Sequence, residues 1–132
     1  MTVPFIREAT TRTPRVELNH EAGQLIIEGE SYPEDITVFY DPLIAALKQH
    51  FTDKNAGLKC VINLSYFNSS SARQLMDILD IMDKHAKEGH PVEVVWCCDE
   101  DDDITHEFAE DISKEIEAIR FEIRLITDEN RG

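Results

Sequence analysis

Residues 60–96 read CVINLSYFNSSSARQLMDILDIMDKHAKEGHPVEVVW and decide the fold class of this chain. An apolar run ends at Asn68-Ser69-Ser70-Ser71, apolar residues then recur at helical spacing up to Gly89, and a second apolar run follows. This pattern predicts a strand, a helix and a second strand, paired in parallel through a right-handed crossover. Because Leu58 to Leu64 is almost continuously apolar, we expect a central strand covered on both faces.

The sequence before this unit predicts a hairpin and a helix. Residues 16–19 and 25–28 enclose a loop that contains Gly and predict a β-hairpin, and residues 29–35 predict a turn into a helix. Pro42 lies inside that helix, which is either kinked, the interpretation we favour, or restarted with Asp41 as its N-cap.

The sequence after this unit completes a single domain. Apolar residues from Ile104 to Ile116 predict a third helix, and an alternating strand follows, giving the order ββαβαβαβ. We therefore predict an α/β fold, a single-domain sandwich with a mixed sheet and helices packed on it. Residues 1–14 are expected to form a loose arm, residues 15–127 the domain and residues 128–132 a tail.

Composition limits the classes of partner and the cellular compartment that this chain suits. The net charge of −14 over 132 residues argues against nucleic acid and anionic membranes, which require basic surfaces. No apolar run approaches the roughly 18 residues of a membrane span, and the start of the chain lacks the order of a signal peptide. Cys60 lies in a predicted strand and Cys97 and Cys98 are adjacent, so we expect free thiols in a reducing cytoplasm.

Catalytic and metal-binding patterns are weak in this chain. The acidic run from Asp99 to Asp103 lacks the spaced ligands and the Gly of a calcium loop, and the five histidines show no ligand spacing. Cys97 or Cys98 would need an activating base, and nearby carboxylates raise the pKa of a thiol. The sequence therefore predicts a protein that is not an enzyme and that holds no metal and no cofactor.

The junction from Asn68 to Ser71 places hydroxyl groups where a strand ends and a helix begins. The first N–H groups of a helix have no partner within it and the helix dipole favours negative charge there, so this place can hold a phosphate. A serine here is either an N-cap, the more common role, or a phosphoacceptor. Ser69 is expected to face solvent, whereas Ser70 and Ser71 are expected to engage the N–H groups of the helix.

Four motifs in order along the chain carry a resemblance to a known family. They are GESYPE at Gly29 to Glu34, LSYFNSSS at Leu64 to Ser71, MDILD at Met76 to Asp80 and GHPV at Gly89 to Val92. With the predicted fold, they resemble the SiaC-like family of bacterial regulatory phosphoproteins, within the STAS-like architecture of anti-sigma-factor antagonists. The resemblance covers roughly residues 12–126. One departure is a Ser where the SiaC branch carries Thr as phosphoacceptor.

The resemblance implies a phosphorylation switch. Ser69 would be phosphorylated by a cognate serine/threonine protein kinase and dephosphorylated by a PP2C-type phosphatase. In the SiaC branch the unphosphorylated form binds and stimulates a diguanylate cyclase, which links the switch to cyclic-di-GMP signalling and biofilm formation. In the sigma-factor branch that form binds an anti-sigma factor instead. A constitutive interaction module, whose serines only cap a helix, is the third interpretation.

Residues around the junction are candidate partner contacts. Tyr32 belongs to a second segment that precedes a helix, so both segments are expected to open on one side of the sheet. Tyr32 is then an exposed anchor, or its segment only caps the helix through Ser31 or Asp35. Arg73 either contacts a phosphate or is a solvated helix residue. The candidate partner-binding residues are Tyr32, Pro33, Asn68, Ser69 and Arg73.

Overall fold

A six-stranded sheet and three helices make up residues 4–127, the part of the chain that this computed structural model describes. The strands are β1 (Phe5–Arg7), β2 (Arg15–Asn19), β3 (Gln24–Ser31), β4 (Leu58–Phe67), β5 (Val92–Asp99) and β6 (Arg120–Ile126), and the helices are α1 (Ile36–His50), α2 (Ser69–Lys87) and α3 (Asp103–Glu115). The strands lie in chain order, antiparallel from β1 to β3 and parallel from β3 to β6. The predicted α/β sandwich with a mixed sheet is confirmed.

All three helices cover the same face of the sheet. Each parallel connection moves to the next strand in the same direction, so every right-handed crossover puts its helix on the same side. Side chains from that face and from the helices form one buried core, in which Trp96, Tyr40 and Leu75 have 0% exposure. Within residues 4–127, no helix covers the opposite face of the sheet.

The expectation that β4 is covered on both faces is wrong. Burial alternates along this strand, so that Cys60 and Ile62 are buried while Lys59 and Asn63 are exposed on the uncovered face. The strand closest to burial on both sides is β5, where Val95 is buried because side chains of β4 and β6 flank it. An apolar run thus predicts a central strand but not the number of faces that helices cover.

Each helix begins at a side-chain cap. Asp35, Asn68 and Asp102 each accept a hydrogen bond from the backbone N–H three residues later, at 2.9–3.2 Å. Helix α1 continues through Pro42 as one helix, so the alternative of a restart with Asp41 as N-cap is wrong. None of these helices in residues 4–127 is long and apolar enough to cross a membrane.

Two boundaries differ from those expected. The N-terminal arm is not loose throughout, because residues 5–7 pair with β2 as an edge strand and Phe5 packs against the core. Strand β3 runs on to Ser31 instead of turning at Gly29, because a register shift between Gly29 and Glu30 lets it keep pairing with β4. The tail at residues 128–132 lies outside the described residues.

A histidine cluster lies at the amino ends of the parallel strands. His50 ends α1 and is buried, with Nε2 2.8 Å from the carbonyl oxygen of Gly57 and Nδ1 2.7 Å from Nδ1 of His20. Because a carbonyl only accepts, Nε2 of His50 donates and Nδ1 of His50 accepts from His20. His90 donates from Nδ1 to the carbonyl of Ala56 at 2.6 Å, so the cluster holds the loop between α1 and β4.

The neutral state of His50 makes stability depend on pH. Burial lowers the pKa of His50, an effect that His20 and His90 increase and that the Gly57 carbonyl and Asp53 oppose. The unfolded chain binds this proton near pH ~6.5 and the folded chain only at lower pH, so the stabilisation is complete above ~6.5 and is lost as pH falls. We expect the melting temperature to fall from about pH 7 to about pH 5.5, and His50→Gln to flatten that fall. The half-exposed His106→Gln serves as the control. If the pH dependence of the melting temperature changes in His106→Gln but not in His50→Gln, the assignment to His50 is contradicted.

Candidate functional site

The serine junction lies at the carboxyl edge of the parallel strands, next to the segment that follows β3. Ser31 and Phe67 are paired across β3 and β4, and the N–H of Asn68 donates to the carbonyl of Ser31 at 3.1 Å. Tyr32 and Asn68 directly follow these paired residues. The two segments therefore open on the same side of the sheet, as expected.

Asn68, and not a serine, caps α2. Its backbone is extended (φ −87°, ψ 177°) and its Oδ1 accepts from the N–H of Ser71 at 2.9 Å. The interpretation of a serine as the N-cap is therefore wrong, because Asn68 already supplies the acceptor one residue earlier. Ser69 is the first helical residue, and both Ser69 and Ser70 are exposed.

Ser71 is buried and bonds to β3. Its hydroxyl donates to the carbonyl of Ser31 at 2.9 Å and lies 2.8 Å from Oγ of Ser31, which in turn lies 2.6 Å from the hydroxyl of Tyr40. Burial raises the pKa of Tyr40, and the hydrogen bonds to Ser31 and Ser71 act against that rise. The expectation that Ser70 and Ser71 engage the helix N–H groups is wrong, since Ser71 binds β3 and Ser70 is exposed.

Replacing Ser71 should cost stability, unlike replacing its neighbours. Ser71→Ala removes the donor to Ser31 and one member of a buried hydroxyl network, so we expect a loss of about 1–2 kcal/mol in the free energy of unfolding. Ser70→Ala, at an exposed position in the same turn, should stay within about 0.5 kcal/mol of the wild type. Urea denaturation of the two variants measures both values, and equal values would contradict the structural role of Ser71.

An aromatic pair flanks the junction. The rings of Tyr32 and Tyr66 meet edge to face with centroids 5.7 Å apart, and the side chain of Tyr66 is largely exposed. The N–H of Tyr32 donates to the carbonyl of Arg12 at 2.7 Å, and the guanidinium of Arg12 pairs with Glu34. Tyr66 was not a candidate from the sequence, although an aromatic residue two positions before Asn68 was a usable signal.

The remaining candidates lie at the same edge. Pro33 directly follows Tyr32 and is half-buried, and Arg73 is exposed one helical turn after Ser69. Residues four apart share a helix face, so Arg73 lies on the Ser69 side of α2. The structure thus brings the candidates that the sequence indicated to one edge of the sheet.

The thiols and the acidic loop offer neither an activated nucleophile nor an ion site. Burial raises the pKa of Cys60 to about 12, and burial also raises the pKa of Cys97 and of Cys98. Within residues 4–127, no group of three or more His, Cys, Asp and Glu side chains could hold a metal ion. Asp102 of the acidic loop caps α3, since its carboxylate accepts from the N–H and the hydroxyl of Thr105.

The STAS-like sheet presents an exposed serine in the first turn of a capped helix. The family model described as SiaC family regulatory phosphoprotein matches residues 7–126. The chain belongs to this family, and the resemblance inferred from the four sequence motifs is confirmed.

Solved structures and a curated relative agree with this assignment. The chain is similar to SiaC of Pseudomonas aeruginosa, with 27% identity and a TM-score of 0.87 over 95% of this chain and 100% of that one. It is equally similar to the chain in a crystal structure of the diguanylate cyclase SiaD in complex with its activator SiaC from Pseudomonas aeruginosa, with 28% identity and a TM-score of 0.87 over 92% of this chain and 99% of that one. An uncharacterized protein of Pseudomonas aeruginosa is 30% identical over 80% of this chain and 84% of its own length.

Proposed function

We propose that this chain is a non-catalytic partner-switching protein. Its unphosphorylated form binds and stimulates a diguanylate cyclase, and phosphorylation of Ser69 releases it. The observation that carries this proposal is the exposed position of Ser69 at the start of a capped helix, in a fold similar to SiaC bound to SiaD. A cognate serine/threonine kinase and a PP2C-type phosphatase complete the switch. The three free cysteines suit a reducing cytoplasm, where we place it.

Accessibility supports the choice of phosphoacceptor. Ser71 is buried in its network with Ser31 and Tyr40, so a kinase cannot reach it in the folded protein. Ser69 and Ser70 are both exposed, and the family motif favours the hydroxyl that directly follows Asn68. We therefore propose Ser69 ahead of Ser70.

A phosphate on Ser69 should eject a partner without unfolding the domain. It adds about −1.5 to −2 charges at pH 7. The amino end of α2 tolerates that charge, since the helix dipole favours an anion there by about 0.3–1 kcal/mol. A protein surface docked over Ser69 would have to bury the phosphate, at a desolvation cost that grows when no cation pairs with it.

Affinity capture tests the proposal. Immobilised Ser69→Ala, which cannot be phosphorylated at that residue, and the Ser69-phosphorylated wild type are exposed to lysate of the source organism, and mass spectrometry identifies what each retains. We expect a diguanylate cyclase on the first and its absence from the second. An anti-sigma factor in the place of the cyclase would refute the cyclase assignment while leaving the switch intact.

A further inference from the structure

The two most exposed large apolar side chains of residues 4–127 lie at the edge that carries Ser69. Ile104 is 83% exposed and Val38 70%. Val38 lies in the first turn of α1 and Ile104 in the first turn of α3. Single exposed apolar residues are common on protein surfaces, but two of them at the same edge as an exposed serine indicate an interaction surface.

Val38 and Ile104 lie on either side of Ser69. Helix α1 connects β3 to β4, α2 connects β4 to β5 and α3 connects β5 to β6, so α2 lies between the other two helices. Val38 and Ile104 therefore lie on opposite flanks of α2, whose first turn carries Ser69.

Contacts in the core tie the first turn of α3 to the serine junction. The ring of Phe108 lies 5.2 Å from the ring of Phe67, which directly precedes Asn68. Ile104 is four residues before Phe108 and shares its helix face, one turn closer to the edge. The exposed side chain of Ile104 thus extends the apolar strip of Phe67 and Phe108 out to the surface beside the junction.

The surroundings of these apolar residues are acidic. Exposed carboxylates lie next to Val38 and next to Ile104 along the chain: Glu34, Asp35 and Asp41, and Asp101, Asp103 and Glu107. Of the cations named at this edge, Arg12 is already paired with Glu34, which leaves Arg73. With a net charge of −14 on the chain, this edge complements a basic surface.

We infer that Val38 and Ile104 are the outer anchors of a docking surface that includes Ser69 between them, and that its occupant is a basic surface of the cyclase that presents an apolar side chain to each anchor. This inference rests on the proposed function. A partner that reaches both anchors must cover Ser69, so a phosphate there falls beneath it and next to carboxylates on either side. The same arrangement accounts for a release that needs no change of fold.

Matched substitutions to glutamate test the two anchors. Val38→Glu and Ile104→Glu put a carboxylate in the first turn of a helix, where the dipole favours it, so folding should be unaffected. Binding of the unphosphorylated variants to the purified cyclase, by calorimetry, should weaken at least tenfold for each, as expected of apolar anchors in an interface. Ile6→Glu makes the same change on the outermost strand and should alter the affinity less than twofold.

Salt and charge reversal test the chemistry of the occupant. For a basic partner, the association rate of the wild type should fall as NaCl rises from about 50 to about 500 mM, and Asp101→Lys with Glu107→Lys should slow association at low salt. This inference is wrong if both anchor variants bind with wild-type affinity, or if salt and charge reversal leave the association rate unchanged. In either case, a complex that phosphorylation still dissociates would continue to support the switch. Absence of any cyclase binding by the wild type would overturn both.

Discussion

Phosphorylation of Ser69 is expected to weaken binding of the cyclase at least a hundredfold. A phosphate buried beneath a partner loses most of its hydration, and a cost of about 3 kcal/mol corresponds to a factor of about 100 in affinity. Titration calorimetry with protein phosphorylated in vitro, after the site is mapped by mass spectrometry, measures this ratio. Ser70→Ala should be phosphorylated and released like the wild type, because the proposed switch depends on Ser69.

Substitutions at Ser69 should separate the charge of the phosphate from the loss of the hydroxyl. Ser69→Ala should bind as tightly as the unphosphorylated wild type and should not respond to the kinase. Ser69→Glu should weaken binding by less than the phosphate does, since a carboxylate carries about half of its charge. The assignment of the site is refuted if the phosphate maps to Ser70 and the kinase still dissociates Ser69→Ala from the cyclase.

Asp83→Ala is expected to lower the free energy of unfolding by about 3 kcal/mol, because a buried carboxylate that accepts several hydrogen bonds is lost. Asp83 is buried on α2, and its carboxylate accepts from the backbone N–H groups of Glu117, Ala118 and Ile119 at 2.8–3.3 Å. Without it, the turn between α3 and β6 leaves N–H groups without an acceptor. Asp80→Ala, an exposed position one turn earlier on α2, should stay within about 0.5 kcal/mol of the wild type.

The pH dependence of Asp83 gives an independent check. Burial on its own raises the pKa of this carboxyl, but the three backbone hydrogen bonds and Lys87 together bring it below its usual value. The unfolded state therefore binds the proton first, so this stabilisation is complete above about pH 4 and is lost as pH falls below it. Asp83→Asn should remove that part of the acid sensitivity. An equal acid sensitivity in Asp83→Asn and the wild type would contradict the assignment.

Local patterns predicted the elements of the fold because each depends on nearby residues. The strand, helix and strand of residues 60–96 and the helix through Pro42 follow from apolar spacing and turn residues. The number of faces covered was not predictable in that way, since it depends on all three crossovers lying on one side of the sheet. Likewise, residues 5–7 pair with β2, and no local sequence pattern predicts contact between these two segments.

The candidate site, like the fold, was predictable only where it depends on residues close together in the sequence. The position of the serines after a strand indicated the junction, and the family motif indicated Ser69. The bond of Ser71 to Ser31 was missed because it joins residues 40 apart in the sequence. That long-range contact is what separates a buried structural serine from exposed ones in a run of three identical residues.

The most direct test of the central claim is the turnover of the captured cyclase, measured as cyclic-di-GMP formed from GTP while this protein is titrated in. The unphosphorylated wild type and Ser69→Ala should stimulate product formation, saturating at the stoichiometry of the complex, and the Ser69-phosphorylated protein should leave it at the basal rate. Equal stimulation by the phosphorylated and unphosphorylated proteins, or none by either, would contradict the account.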